Sequence, residues 1–217
     1  MTNAFKLNRI LKLIENVGGG SFDQLMIFDL ACGEGSYGIA AAERGAKVFA
    51  IDVRSERMSV GCLRAKELGI PGISFYQDDI REIDEEKYGR ADIVLLLGIL
   101  YHLEAPDLLS VLRNVRGFCR RAIIVDTHIS LSTETQIWLE GKTYEGKNYQ
   151  EHGRNDSADE KRARLSNSID NAFSFWPTRS SLFRLLKEAG FGTVLECQLP
   201  EEPEKPKDRI TLLAFPD

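Results

Sequence analysis

Residues 27–54, IFDLACGEGSYGIAAAERGAKVFAIDVR, constrain the fold more than any other stretch of the chain. An apolar run ends in a glycine turn, a helix of small residues follows, and a second apolar run ends in Asp52. Runs without hydrophobic alternation need cover on both faces, so the order reads as two parallel strands joined by a crossover helix. Gly33, Gly35 and Gly38 spell G-x-G-x-x-G, the spacing of a loop that sets a pyrophosphate on a helix N-terminus. Two carboxylates oppose that ligand. Asp29 stands four residues before Gly33, and Glu34 lies between the first two glycines, so a phosphate placed there would be repelled. The loop suits a ligand with positive charge and no phosphate, which leaves Gly38 as a close-packing position in the helix.

The pattern continues beyond this unit. Strand-like runs at 25–31, 47–52, 73–77, 91–97 and 122–128 alternate with helical patterns at 36–44, 55–68 and 106–116, predicting a parallel α/β sheet with helices on both faces. Ahead of them, Phe5, Ile10, Leu11, Leu13, Ile14 and Val17 follow helical spacing up to Gly18, Gly19 and Gly20, and this helix is expected to cap the ligand cleft. Residues 129–178 lose the pattern and are far longer than the usual connection of about 4–6 residues, which predicts a lid that binds the second substrate. A helix at 179–189 and strands at 192–198 and 209–215, joined by a polar loop, close the chain as an antiparallel hairpin. The whole of 1–217 reads as one domain.

Composition narrows the partners. The formal net charge of −5 provides no general attraction to polyanions, so nucleic acid is not a favoured partner. No run approaches the ~20 apolar residues of a membrane span, and the N-terminus lacks the features of a secretory signal. Cys32, Cys62, Cys119 and Cys197 are widely spaced and read as reduced thiols, and the expected location is the cytoplasm. Asp126 and His128 share a strand face, but two ligands do not make a metal site, and His152 reads as a solvated loop residue. No metal is predicted.

Four segments in order carry a family resemblance: D-L-A-C-G-E-G at 29–35, Asp52 after the second strand, Q-D-D-I at 77–80, and A-D-I-V-L-L-L-G-I-L-Y-H at 91–102. Together they resemble the class I S-adenosylmethionine-dependent methyltransferase family over nearly the whole chain. The resemblance implies a Rossmann-like seven-stranded sheet with a C-terminal antiparallel hairpin, S-adenosyl-L-methionine as cofactor and S-adenosyl-L-homocysteine as product. It places Asp29, Ala31, Gly33 and Gly35 around the methionine portion and Asp52 with Val53 at the ribose. Asp79, or Asp78 if the register slips by one, would meet the adenine amino group beside Ile80, and Gly98 would line the path to the sulfonium. Taken singly, an acid after a strand is as readily a turn former or helix cap.

Methyl transfer needs alignment and desolvation first, and a base only where the acceptor is a hydroxyl. The candidate catalytic residues are His102, Tyr101 and His128, with Asp126 beside them at the carboxyl ends of the fourth and fifth strands. Tyr144, Tyr149, Trp176 and Arg179 are the candidate acceptor-binding residues, although Phe175 and Trp176 read equally well as core. The phrases G-I-L-Y-H-L-E-A-P-D-L-L and F-W-P-T-R-S-S-L-F-R-L-L-K-E-A-G-F are also similar to the tRNA wobble-uridine carboxymethyl transferase branch and to methyltransferases of glycan and secondary metabolite pathways. The expected acceptor is therefore a small polar molecule, such as a sugar or secondary metabolite, methylated at oxygen rather than nitrogen. The alternatives are a tRNA-modifying enzyme, an NAD-binding oxidoreductase and a non-catalytic partner subunit.

Overall fold

The computed structural model describes residues 4–198 and 205–217, so 1–3 and residues 199–204 of the polar loop between the last two strands lie outside the described residues. Its elements begin with α1 (Ala4–Gly18), β1 (Met26–Leu30), α2 (Ser36–Glu43), β2 (Lys47–Asp52), α3 (Ser55–Glu67), β3 (Ile73–Gln77), α4 (Glu85–Tyr88) and β4 (Ala91–Leu97). A 3-10 turn at Leu100–His102 leads into α5 (Ala105–Phe118) and β5 (Cys119–His128). Then come β6 (Thr135–Leu139), β7 (Lys142–Gln150), α6 (Ala158–Ala163), β8 (Phe173–Pro177), α7 (Arg179–Glu188), β9 (Phe191–Glu196) and β10 (Arg209–Pro216). Seven strands form the main sheet in the order β3-β2-β1-β4-β5-β10-β9. The first five run parallel, whereas β10 is antiparallel to both β5 and β9, which is the expected closing hairpin.

Strand alternation sends the sheet's side chains into two cores. Ile27, Val48, Ile93, Leu95 and Ile124 pack under α1 through Ile10, Leu11, Leu13 and Ile14. Phe28, Leu30, Val94, Leu96, Ile123 and Val125 face the other way, against Leu108, Leu112 and Val115 of α5 and Leu182, Leu185 and Leu186 of α7. One expectation is corrected here: no described residue of α1 is on the wall of the sheet-edge cavity. Its apolar stripe is spent on the flat of the sheet instead.

Residues 129–178 are not patternless. They build a second, three-stranded antiparallel sheet in the order β6-β7-β8, with α6 held by a capping box between Ser157 and Glu160. Strand β7 escapes a hydrophobicity reading because its two buried positions are Tyr144 and a glycine. A Cβ on Gly146 would come within 2.6 Å of the Phe175 ring, so the neighbouring strand supplies the apolar group that β7 lacks. The sheet is docked to the main body where the Phe175 amide donates to the Leu103 carbonyl at 2.9 Å and the Ser130 amide to that of Pro177 at 2.9 Å.

Candidate functional site

Strand β1 lies between β2 and β4, so the chain direction of the crossovers reverses at β1 and a crevice opens at the carboxyl ends of these strands. A cavity of about 470 Å³ occupies it, in the range of small-molecule sites. The main sheet supplies one wall and residues 165–171 of the insertion supply the other.

The glycine loop is wound tightly at the end of β1. Gly33 and Gly35 have φ of 58° and 66°, and Ala31 has φ of 54°, which costs a residue with a Cβ about 1–2 kcal/mol. Asp52 holds the loop: one carboxylate oxygen accepts the Gly33 amide at 2.7 Å and the other the Arg54 amide at 2.8 Å. Each oxygen keeps a second acceptor direction, and Asp52 is on the cavity wall with Ala31, Val53 and the exposed carboxylate of Glu34. Asp29, by contrast, is buried behind the loop and accepts the Gly38 amide at 2.9 Å in the first turn of α2. The hydrogen-bond acceptor that a dinucleotide phosphate would bring to this helix end is already present as a side chain. Burial pushes the Asp29 carboxyl up to about 7, the Asp52 charge pushes the same way, and the Gly38 hydrogen bond opposes both. Gly38 packs closely, with Val48 3.0 Å from where its Cβ would lie.

Of the two acids after β3, Asp79 reaches the cavity and Asp78 does not. Asp78 accepts from Lys87 at 2.5 Å and from the Tyr88 hydroxyl at 2.8 Å. Asp79 is gripped by Arg81, whose Nη2 donates to it at 2.7 Å and to Asp170 of the insertion at 2.8 Å. Ile80 lies beside it on the wall, and Gly98 lines the middle of the cavity with φ of 93°. A Cβ on Gly98 would face Nη2 of Arg209 at 3.6 Å and the Tyr101 hydroxyl at 3.7 Å.

At the far end stand Tyr101, His102 and Arg209. Burial raises the Tyr101 hydroxyl, with the Arg209 charge pulling against it. Arg209 donates from Nε to the fully buried Asp126 at 2.6 Å, which also takes Lys6 at 2.7 Å and the Thr211 hydroxyl at 2.8 Å. Asp126 is therefore a structural ion-pair centre. His128 is off the cavity wall: its Nε2 faces Arg209 Nη1 at 3.1 Å and its Nδ1 lies 3.2 Å from Asp208. Burial and then the Arg209 charge lower its pKa. His102 is different. It lines the cavity, and its Nδ1 lies 2.9 Å from Oε1 of Glu151, a carboxylate with no solvent exposure that also accepts the Ser174 hydroxyl at 2.8 Å and the Ser168 amide at 3.0 Å. Burial alone would raise the Glu151 carboxyl, but the donors from His102, Ser168 and Ser174 outweigh it and hold it below its ordinary range.

None of the four residues expected to bind the acceptor lines the cavity. Tyr144 is 1% exposed within the main core. Trp176 stacks between His128 and Tyr149 at 4.9 and 4.6 Å and donates its indole N–H to the Tyr101 carbonyl at 2.9 Å. Arg179 points outward to Glu196. His152, expected in solvent, is buried with Nε2 2.9 Å from the Ser168 carbonyl. The residues that do face the cavity from the insertion are those of 165–171, from Leu165 to Asn171, a mostly polar run with no sequence signal beyond its place in residues 129–178. Arg54 likewise carries no such signal. Its buried guanidinium donates to the carbonyls of Arg162, Arg164, Asn167 and Ser168 and so ties the insertion to the end of β2. Among the described residues no group of three or more His, Cys, Asp or Glu is arranged to hold a metal ion, and no helix is long and apolar enough to cross a membrane.

Comparison with known proteins finds methyltransferases. Residues 27–122 match the model of a family described as a methyltransferase domain. The chain is 30% identical over 140 residues to a ubiquinone biosynthesis O-methyltransferase of Serratia proteamaculans, covering 63% of this chain and 53% of the relative. It is 33% identical over 141 residues to the Photorhabdus laumondii protein of the same name, with the same coverages of 63% and 53%. The chain thus spans about half the length of the curated relatives it matches. Among solved structures, the N-terminal domain of EvdMO1, crystallised in the presence of S-adenosylhomocysteine and D-fucose, superposes with a TM-score of 0.78 at 20% identity, covering 100% of this chain and 85% of that one. The magnesium protoporphyrin IX methyltransferase of Synechocystis with bound S-adenosylmethionine gives 0.63 at 15% identity, with coverages of 98% and 80%. At these identities the likeness is one of fold, and it extends past residue 122 to the final antiparallel strand. The methyltransferase-domain match over residues 27–122, the relatives named O-methyltransferases and the shared fold together support a class I S-adenosylmethionine-dependent methyltransferase.

Proposed function

We propose that this chain binds S-adenosylmethionine and transfers its methyl group to a hydroxyl oxygen of a small polar acceptor. The observation that carries the proposal is the division of one cavity into two chemically distinct ends on either side of Gly98: acids and the glycine loop at one, and a carboxylate-backed histidine at the other. The residues of the first end fit the cofactor. Asp52 retains acceptor directions for ribose hydroxyls, Asp79 and Ile80 stand where an adenine edge would lie, and the loop around Ala31, Gly33 and Gly35 leaves room for the methionine portion. Glu34 on the cavity wall favours a cation over a pyrophosphate at the same loop, and Asp29 already occupies the Gly38 amide that a phosphate would use. The bound cofactor supplies a sulfonium methyl and a neutral leaving group.

The chain's own work is then alignment, exclusion of water and removal of one proton. Residues 165–171 act as the lid, closing the cavity over both ends, and His102 accepts the proton of the acceptor hydroxyl. Support for oxygen as the target comes from the relatives named O-methyltransferases, and a solved neighbour crystallised with D-fucose makes sugars one class to try. Calorimetry with S-adenosylmethionine and with NAD tests the cofactor, and binding of NAD alone would refute it. Formation of S-adenosylhomocysteine with panels of catechols and of deoxysugars tests the acceptor. Product formed with amines but with no hydroxyl compound would refute the choice of oxygen.

A further inference from the structure

Resting on the reading of His102 as the base, we infer that Glu151 is its positioning residue, fixing the imidazole proton on Nδ1 so that Nε2 is the bare nitrogen presented to the cavity. Three donors converge on this buried carboxylate from three segments. Oε1 lies 2.9 Å from His102 Nδ1 and 2.8 Å from the Ser174 hydroxyl, and Oε2 lies 3.0 Å from the Ser168 amide. An ionised carboxylate only accepts, so the nitrogen facing it must carry hydrogen. With Nδ1 committed, no described residue hydrogen-bonds Nε2, and the ring lines the cavity.

The surroundings limit the ring as well. Tyr101 packs against it with centroids 4.2 Å apart, and the Trp176 indole holds the Tyr101 carbonyl. Glu151 directly follows β7, whereas His102 ends the 3-10 turn after β4, so base and orienting group come from different layers of the molecule. The proton balance of the step is simple. The acceptor O–H bond breaks as oxygen takes the methyl group, its proton passes to Nε2, and the resulting imidazolium is compensated by the Glu151 carboxylate without a second proton transfer.

The test reads the tautomer directly. The chain has 3 histidines, so long-range proton–nitrogen spectra of ¹⁵N-histidine-labelled full-length protein are sparse, and His102→Asn assigns the ring. The expected wild-type pattern is protonated Nδ1 and bare Nε2 for His102. In Glu151→Gln the amide oxygen can keep the Ser168 N–H only by turning its NH₂ toward Nδ1, which drives the proton to Nε2, and the pattern inverts. A Ser174→Ala variant, which removes another donor from Oε1, keeps the wild-type tautomer. Protonated Nε2 in the neutral wild-type ring, or an unchanged tautomer in folded Glu151→Gln, overturns the inference. Should the Gln variant not fold, the wild-type spectrum still decides. Because the spectra need no methyl donor, failure of the methyl-transfer reading would appear separately, as absence of S-adenosylhomocysteine formation by a protein whose His102 tautomer is as expected.

Discussion

Replacing Asp29 by asparagine should make the protein more stable, and increasingly so as the pH rises. The carboxyl is buried under the glycine loop with its pKa moved from 3.8 to about 7. In the unfolded chain it ionises near its ordinary value, so between these two pKa values the folded state holds a proton that the unfolded state has released. Stability therefore falls as pH rises through this interval, and the penalty is complete above the folded pKa. Linkage over a shift of about 3 units gives a total of about 4 kcal/mol, of which about 2–3 kcal/mol develops between about pH 5 and about pH 8. The substituted asparagine would accept the Gly38 amide through its own oxygen and never ionise, so the advantage of Asp29→Asn over wild type should widen by that amount across the interval. Urea unfolding at both pH values measures it, and thermal melts should show a widening of about 5–10 °C for a chain of this size. An advantage that is equal at both pH values would refute the assignment of a buried, protonatable acid at this position.

Asp52→Ala removes the acceptor of two backbone amides as well as the proposed ribose ligand, and charge-assisted bonds of about 1.5–3 kcal/mol predict a loss of cofactor affinity of more than about tenfold by calorimetry. An unchanged dissociation constant would reject its role. Arg54→Ala should cost about 2 kcal/mol of local stability in the insertion, read as about 30-fold faster amide exchange at residues 162–168, while exchange in the central strands β1 and β4 stays as in wild type. Equal exchange in wild type and variant would show that the guanidinium does not hold that segment.

Much of the sheet was legible because its strands are buried on both faces and read as apolar runs, and because β10 and β9 are too close in sequence for anything but a hairpin. The second sheet was illegible for the opposite reason: β7 buries Tyr144 and Gly146 and fills the remaining positions with polar residues, so its alternation carries almost no hydrophobic contrast. Among the site residues, Ala31, Asp52, Val53, Asp79, Ile80 and Gly98 lie where strand ends put them, and strand ends are visible in sequence. Gly33, Gly35 and Asp29 support the same loop from behind the wall. The contact of His102 with Glu151 spans 49 positions and that of Arg54 with Ser168 spans 114, and no local period records pairs of that separation. The aromatic cluster around Trp176 has the composition of an acceptor pocket, yet its rings are satisfied by one another.

The single guanidinium of Arg54 has a consequence for how the insertion is held. Carbonyls from four residues of the insertion share one planar cation rooted two residues past the strand that carries Asp52. Hydrogen bonds spread over several side chains could be lost one at a time, and the segment would then peel away gradually. Bonds converging on one group are lost together when that group withdraws, which leaves the segment to Arg81 at Asp170 and to Glu151 at the Ser168 amide. A single substitution two positions from Asp52 therefore removes four of the insertion's links to the main sheet at once.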